Sequence, residues 1–302
     1  MSSTALPATP RLDVQSAHSI AGRSAILTGL RRHQSVMPSL MVLAVMALAA
    51  VFANVISPAD PLAGTLDARL VAPFTRSDHL LGTDPIGRDV LARLIYGARV
   101  SLFVGSVSVF AAFIIGGFLG LVAGYRGGRV DTLLMRLADV QLSFPSFLLA
   151  ISLMAVLGAG LFNVVLALSI NGWVRYARVM RSGVLPLREV DYVAAARVAG
   201  GGPLRIMLRH VLPNVLTPVL VLATLALGGN IIAESSLSFL GLGVDPQTPS
   251  WGSMLSDGRA YLDSSWWVAA LPGLAISITV LAVNLVGDWL RDELDPRLRR
   301  IV

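Results

Sequence analysis

Glu234, in the stretch AESSLSFLGLG, has the strongest chemical potential in this sequence, because it ends a run from His210 to Ala233 that holds no carboxylate and no arginine. A carboxylate buried in a bilayer is expensive and by default marks a functional position. Ser235, Ser236 and Ser238 can equally satisfy it in a structural role. Asp139 lies in a different apolar region, and neither acid has the companion motif of an intramembrane protease. The histidines, His18, His33, His79 and His210, are scattered, with no two at i, i+4, so no metal site is expected. Absence of cysteine removes disulfides, thiolate metal sites, thiol nucleophiles and a lipidated cysteine. All 24 basic residues are arginine, and a phosphate-cradling P-loop requires lysine, so nucleotide hydrolysis by that route is excluded. No catalytic residue is assigned, and the chain is not expected to be an enzyme.

The elements that carry these residues are apolar helices. Hydrophobic residues make up 55% of the chain and charged residues 14%, with a mean hydropathy of +0.72. The ordinary soluble domain is about 25% charged. The deficit is concentrated in long uncharged runs, the pattern of an all-α integral membrane protein. Ser39–Ile56 is the first run; its apolar core is longer than that of a cleaved signal peptide, and Arg31–Arg32 lack the flanks of a twin-arginine signal. Val100–Tyr125 holds a second. Val140–Val174 is too long for one upright helix, and Gly158-Ala159-Gly160 should fold it into a hairpin of two. A fifth is expected from about Asn214 and a sixth over Ser264–Gly287, which gives six spans. With the N-terminus inside, eighteen arginines fall on inner segments and six on outer ones, which favours an N-in/C-in arrangement. Flanking placement of this kind argues for orientation in a bilayer and against nucleic acid as a partner.

The inner segment 191–214, DYVAAARVAGGGPLRIMLRHVLPN, is unusual for so oily a chain. Tyr192, Ala195, Ala196 and Ala199 fall at i, i+3, i+4 and i+7, a nearly smooth helical face. Gly200-Gly201-Gly202 ends that helix, and Pro203 suits the first turn of another. There Leu204, Met207, Leu208 and Val211 form an apolar stripe, while Arg205 and Arg209 project together. By pattern alone this is either a helical hairpin lying on lipid headgroups or a small-residue helix that enters a partner's groove. Gly116, Gly120 and Gly124 recur every fourth residue and allow close helix packing, within the subunit or against a partner. In LGTDPIGRDVLARLIYGARVSL (81–102), Leu91, Leu94, Ile95 and Ala98 oppose Arg88, Asp89 and Arg93, the pattern of an interfacial helix feeding the second span through Gly97.

Ala194-Ala195-Ala196, Gly200 and Leu212-Pro213 resemble the EAA loop of ABC importer permeases, with Ala194 in place of the usual glutamate and His210 in place of an apolar residue. The stretches GTD–GRD–R–YG–R–SL, AESSLSFLGLG to PQTPSWGSML, and NLVGDWLRDELDPRLR are similar to the dipeptide/oligopeptide (peptide/nickel) branch, C-type subunit; the second resembles that branch's signature around the outer gate, which implies a gate role for Glu234 as the alternative to a structural one. The resemblance covers roughly residues 35–300. It implies the type I importer permease fold in the bacterial inner (plasma) membrane, with a coupling helix between spans 4 and 5. It also implies a homologous second permease subunit, two ATP-binding subunits that use ATP and Mg2+, and an extracytoplasmic substrate-binding protein. This chain itself would bind no cofactor. Short peptides are the implied substrate, with nickel or another small solute as the alternative within the family. A stand-alone secondary transporter would instead need ion-coupling carboxylates at mid-membrane. The resemblance gives ATPase-coupling roles to Tyr192, Ala194, Ala195, Ala196, Ala199, Gly200, Gly201 and Arg205. The expected division is a cytoplasmic tail at 1–35, a first helix at 36–57, an extracytoplasmic loop at 58–99, the permease core at 100–290 with its coupling loop at 181–213, and a C-terminal tail at 291–302.

Overall fold

A computed structural model describes residues 36–294, so both expected tails, apart from Arg291–Leu294, lie outside the described residues. Among the described residues the chain is helical, with only two isolated β-bridges, both next to the helix start at residue 90. Helix α1 (Val36–Val51) is continued by the short α2 (Ala53–Ile56). After an irregular segment come α3 (Val90–Arg126), α4 (Gly128–Leu142), α5 (Ser146–Leu157) and α6 (Leu161–Leu187). Then follow α7 (Asp191–Val198), α8 (Pro203–Ile206), a π-helical turn at Met207–Val211 and α9 (Leu212–Phe239). Short α10 (Trp251–Gly258) and long α11 (Trp267–Leu294) complete the set.

Among the described residues three helices are long and apolar enough to cross a membrane, namely Val90–Arg126, Pro203–Phe239 and Trp267–Leu294. The α4–α5 pair, bent by 89° at Ser143-Phe144-Pro145, makes a fourth if counted as one broken crossing. Against the six expected spans, α1 has 16 residues where about 20 are needed. Helix α6 carries Arg175, Arg178 and Arg181 through its second half. Those arginines have local partners: Arg181 is paired with Asp131, and Arg178 Nη2 lies 2.6 Å from Asp139 Oδ1, both acids on α4. The turn between α5 and α6 forms at Gly158–Gly160, where both glycines take positive φ (80° and 151°) that a side chain would resist.

The pairing of α3 with α6 is the most extensive in the bundle, and glycine makes it possible. A Cβ on Gly116 would lie 2.1 Å from Trp173 O, one on Gly120 2.3 Å from Ala177 O, and one on Gly124 2.8 Å from Val184 Cβ. The glycine stripe therefore faces a helix of its own subunit. Gly117, one residue off the stripe, has only Met180 Cε at 3.5 Å. Overpacking a tight contact costs about 1–3 kcal/mol. Gly120→Ala should therefore destabilise the purified protein in a detergent thermal-shift assay by that order, and Gly120→Leu should collapse the yield of folded protein. Gly117→Ala should behave as wild type, and equal effects at the two positions would refute the close-packing account.

The 81–102 segment departs from expectation. No separate interfacial helix precedes a span at Val100; residues 90–126 form one helix, capped where the Asp89 side chain accepts a 2.7 Å hydrogen bond from Ala92 N. The charged face is turned inward. Arg93 is 2% exposed, its Nη1 2.6 Å from Asp84 Oδ2 and its Nη2 2.9 Å from Asp257 Oδ2. Arg88 contacts the same two oxygens at 2.5 and 2.9 Å. Two guanidiniums and two carboxylates cancel, which is the condition for burying charge at all. Trp267 Nε1 donates to Thr83 O (3.2 Å), and with the Arg88–Asp257 pair this fastens the irregular segment onto α11 and α10, while Trp251 Nε1 donates to Leu94 O (3.1 Å) and ties α10 to α3.

Candidate functional site

The two ends of the bundle differ. The end where α3 starts carries the fastened segment and α10. The end where α3 finishes carries α7, tied down by Arg188 Nη1 donating to Gly124 O (3.3 Å) and by Arg197 stacked 5.6 Å over the Tyr125 ring. Arg197 Nη2 also donates to Arg188 O at 3.1 Å. Val193 is the one fully buried residue of α7, in a cluster with Val184, Ile206, Met207, Val211 and Val215, and Ala196 packs against that cluster. A single apolar anchor with two arginine ties on its flanks holds an eight-residue helix that would be marginal alone.

The joint after α7 has a defined chemistry. Gly201 N donates to Ala196 O and Gly200 N to Arg197 O, both at 3.0 Å, the crossed pair of a Schellman motif. Gly200 takes φ +82°, and a Cβ on Gly201 would sit 2.7 Å from Ala196 O. Pro203 then opens α8 at a position that needs no N–H donor. The angle between α7 and the helix that follows is thus fixed by backbone hydrogen bonds.

The predicted faces are only partly those observed. Tyr192, Ala195 and Ala199 are exposed and Ala196 is half-buried, so the small-residue stripe does not lie as a unit against this subunit. Tyr192 still reaches the next helix, where Asn214 Nδ2 donates to Tyr192 Oη (3.4 Å) and to His210 O (2.7 Å). Ala194 is also exposed, beside Val198 at 90% and Leu204 at 64% exposure. On the following helix the stripe Leu204, Met207, Leu208, Val211 is corrected to Ile206, Met207 and Val211, with Leu208 half exposed. The π-helical turn at 207–211 accommodates an extra residue, which rotates the following face by about 100° relative to a regular helix. Arg205 is exposed and makes no ion pair among the described residues.

Glu234 lies on another part of the molecule, with 0% exposure. Its Oε1 accepts from Ser238 Oγ at 2.8 Å, and its Oε2 from Ser101 Oγ at 2.9 Å and Ser235 Oγ at 3.3 Å. Ser236 instead donates to Ile232 O. Ser101 is on α3 and 133 residues away, so the carboxylate pins α9 to α3. The arrangement has the geometry of a hydrogen-bonded structural tie. No group of three or more potential metal ligands occurs among the described residues. Asp257 was missed as a functional partner, and no local spacing could have revealed it.

Residues 116–300 match the family described as "Binding-protein-dependent transport system inner membrane component". The chain is 47% identical over 254 residues to the di/tripeptide transport system permease protein DppC of Pseudomonas aeruginosa (strain UCBPP-PA14), covering 83% of this chain and 84% of that one. It is 46% identical over 274 residues to the dipeptide transport system permease protein DppC of Escherichia coli (strain K12), covering 89% and 91%. Among solved structures it is similar to one described as an inward-facing conformation of the MetNI methionine ABC transporter. That match has a TM-score of 0.53 and 20% identity, covering 67% of this chain and 96% of that one.

Proposed function

The chain belongs to the family of binding-protein-dependent transport system inner membrane components, and from that premise we propose that it carries short peptides inward, driven by ATPase partners that grip α7. It is a permease subunit of an ABC importer in the inner membrane, with the type I fold. Peptide as the substrate rests on the names of relatives 40–47% identical over most of the chain. In the mechanism we infer, both termini and α7 are cytoplasmic, and a second permease completes the pathway. ATP and Mg2+ act in two partner subunits, and closure of those subunits draws the coupling helices together. A loaded extracytoplasmic binding protein delivers substrate at the opposite end.

The observation that supports this best is the build of α7. It exposes Tyr192, Ala194, Ala195 and Val198 while Val193, Arg188 and Arg197 bolt it to the bundle. A lever must be smooth toward its driver and stiff toward its load. Moving a two-state equilibrium from 1:99 to 99:1 takes about 5.5 kcal/mol of differential interaction, which a floppy loop cannot transmit. Co-expression with a second permease, ATPase subunits and a binding protein of the same transport family tests the reading. The complex should co-purify and take up labelled dipeptide into vesicles only with ATP and the binding protein. Uptake by this chain without any ATPase subunit would overturn it.

A further inference from the structure

We propose that a cavity of about 240 Å3 at the α4–α5 elbow, with mixed polar and apolar walls, binds the terminal carboxylate of the transported peptide through Arg175. The inference rests on the peptide-importer reading above and names the group of the substrate that this chain holds.

The cavity lies between the elbow, α3, α6 and α9, and its walls include Gln141, Phe144, Asn171, Arg175, Tyr176 and Asn230. Arg175 is the third member of a series on α6. Arg181 is paired with Asp131 and Arg178 with Asp139. One turn further on, α4 gives way to the elbow, and no acid lines the cavity opposite Arg175. Gln141 is neutral and cannot balance the guanidinium charge, and its amide is already engaged. Its Oε1 accepts from Trp173 Nε1 (2.7 Å) and its Nε2 donates to Ile170 O (2.8 Å). Arg175 therefore makes no ion pair or hydrogen bond among the described residues.

Arg175 is exposed on the cavity wall, and its guanidinium supplies paired N–H donors for a carboxylate. Acceptors stand beside it. Asn171 Nδ2 donates to Ser146 O (2.9 Å) and Asn230 Nδ2 to Ser108 Oγ (2.8 Å), which leaves both amide oxygens without a donor among the described residues. Peptide N–H groups adjoining a carboxylate match that set. Pockets for whole small ligands run from about 300 Å3 upward, so this one suits an end of the substrate.

The cavity stands part-way along the helices, between the α5–α6 turn and the α7 end. A carboxylate arriving there would complete the ion-pair series without a resident acid, so the site is occupied only in transit.

The test uses the complete complex in proteoliposomes, with uptake of a labelled dipeptide compared with its C-terminal amide, each at a saturating concentration of binding protein. Arg175→Gln should lower uptake of the free acid at least tenfold and that of the amide less than threefold, and Arg175→Lys should recover part of the loss. Co-purification of the ATPases and abundance in the membrane, measured on the same preparations, should match wild type. An equal loss for both peptides would show that Arg175 does not act on the substrate's carboxylate, and would overturn the proposal, as would unchanged uptake of both. If the wild-type complex takes up neither peptide with ATP, the importer reading itself fails, an outcome separable from failure at Arg175.

Discussion

Replacing Val198 by aspartate should abolish ATP-dependent uptake and co-purification of the ATPase subunits while leaving the chain folded in the membrane. Val198 is 90% exposed on α7, so the substitution removes almost no contact within this subunit. In a docked interface the new carboxylate would be desolvated without a partner, which costs about 3–5 kcal/mol. Each 1.4 kcal/mol is a factor of ten, so affinity for the ATPase should fall by roughly two to three orders of magnitude or more. Ala196→Trp should give the same loss of assembly together with lower thermal stability, because Ala196 also packs on the buried cluster. The pair of variants separates docking from folding. If Val198→Asp transports normally with full ATPase retention, α7 is not the gripped surface.

Substitution of Arg93 by methionine should be the most damaging single change at the opposite end of the bundle. The Arg88, Arg93, Asp84 and Asp257 cluster carries no net charge, and removing Arg93 leaves it one negative charge in excess at a site where Asp84 is 0% exposed. Breaking a buried pair by deleting one partner costs about 3–5 kcal/mol. Asp257→Asn should cost less, since the Asp257 side chain is 38% exposed and water can replace part of what is lost. Thermal unfolding in detergent should therefore rank Arg93→Met well below Asp257→Asn, with wild type highest. Equal midpoints for the two variants would show that the cluster is held by packing and that its charge balance is incidental.

Local signals in the sequence were sufficient for several of the joints. Glycines at 158 and 160 placed a turn, the Gly200–Pro203 run placed the break after α7, and the four-residue glycine repeat in α3 marked a close-packed face. Each is decided by backbone sterics within a few residues, so spacing reveals it. The resemblance carried by residues 81–102, 191–213 and the last helix was enough to reach the family. Which face of a helix turned inward was another matter. Arg88 and Arg93 read as the polar side of an interfacial helix, yet they are buried or nearly so, because Asp257 meets them from 164 residues beyond Arg93. A charge's cost of burial reverses once a partner neutralises it, and that partner is supplied by tertiary folding alone. On the helix after α7 the buried stripe kept Met207 and Val211 but exchanged Leu204 and Leu208 for Ile206, since packing against Val193 and Val215 outweighs regular periodicity. Arg175 carries no signal of its own in the chain. Only the elbow at residues 143–145, which carries α4 away before a third acid can face α6, leaves it beside an unfilled cavity.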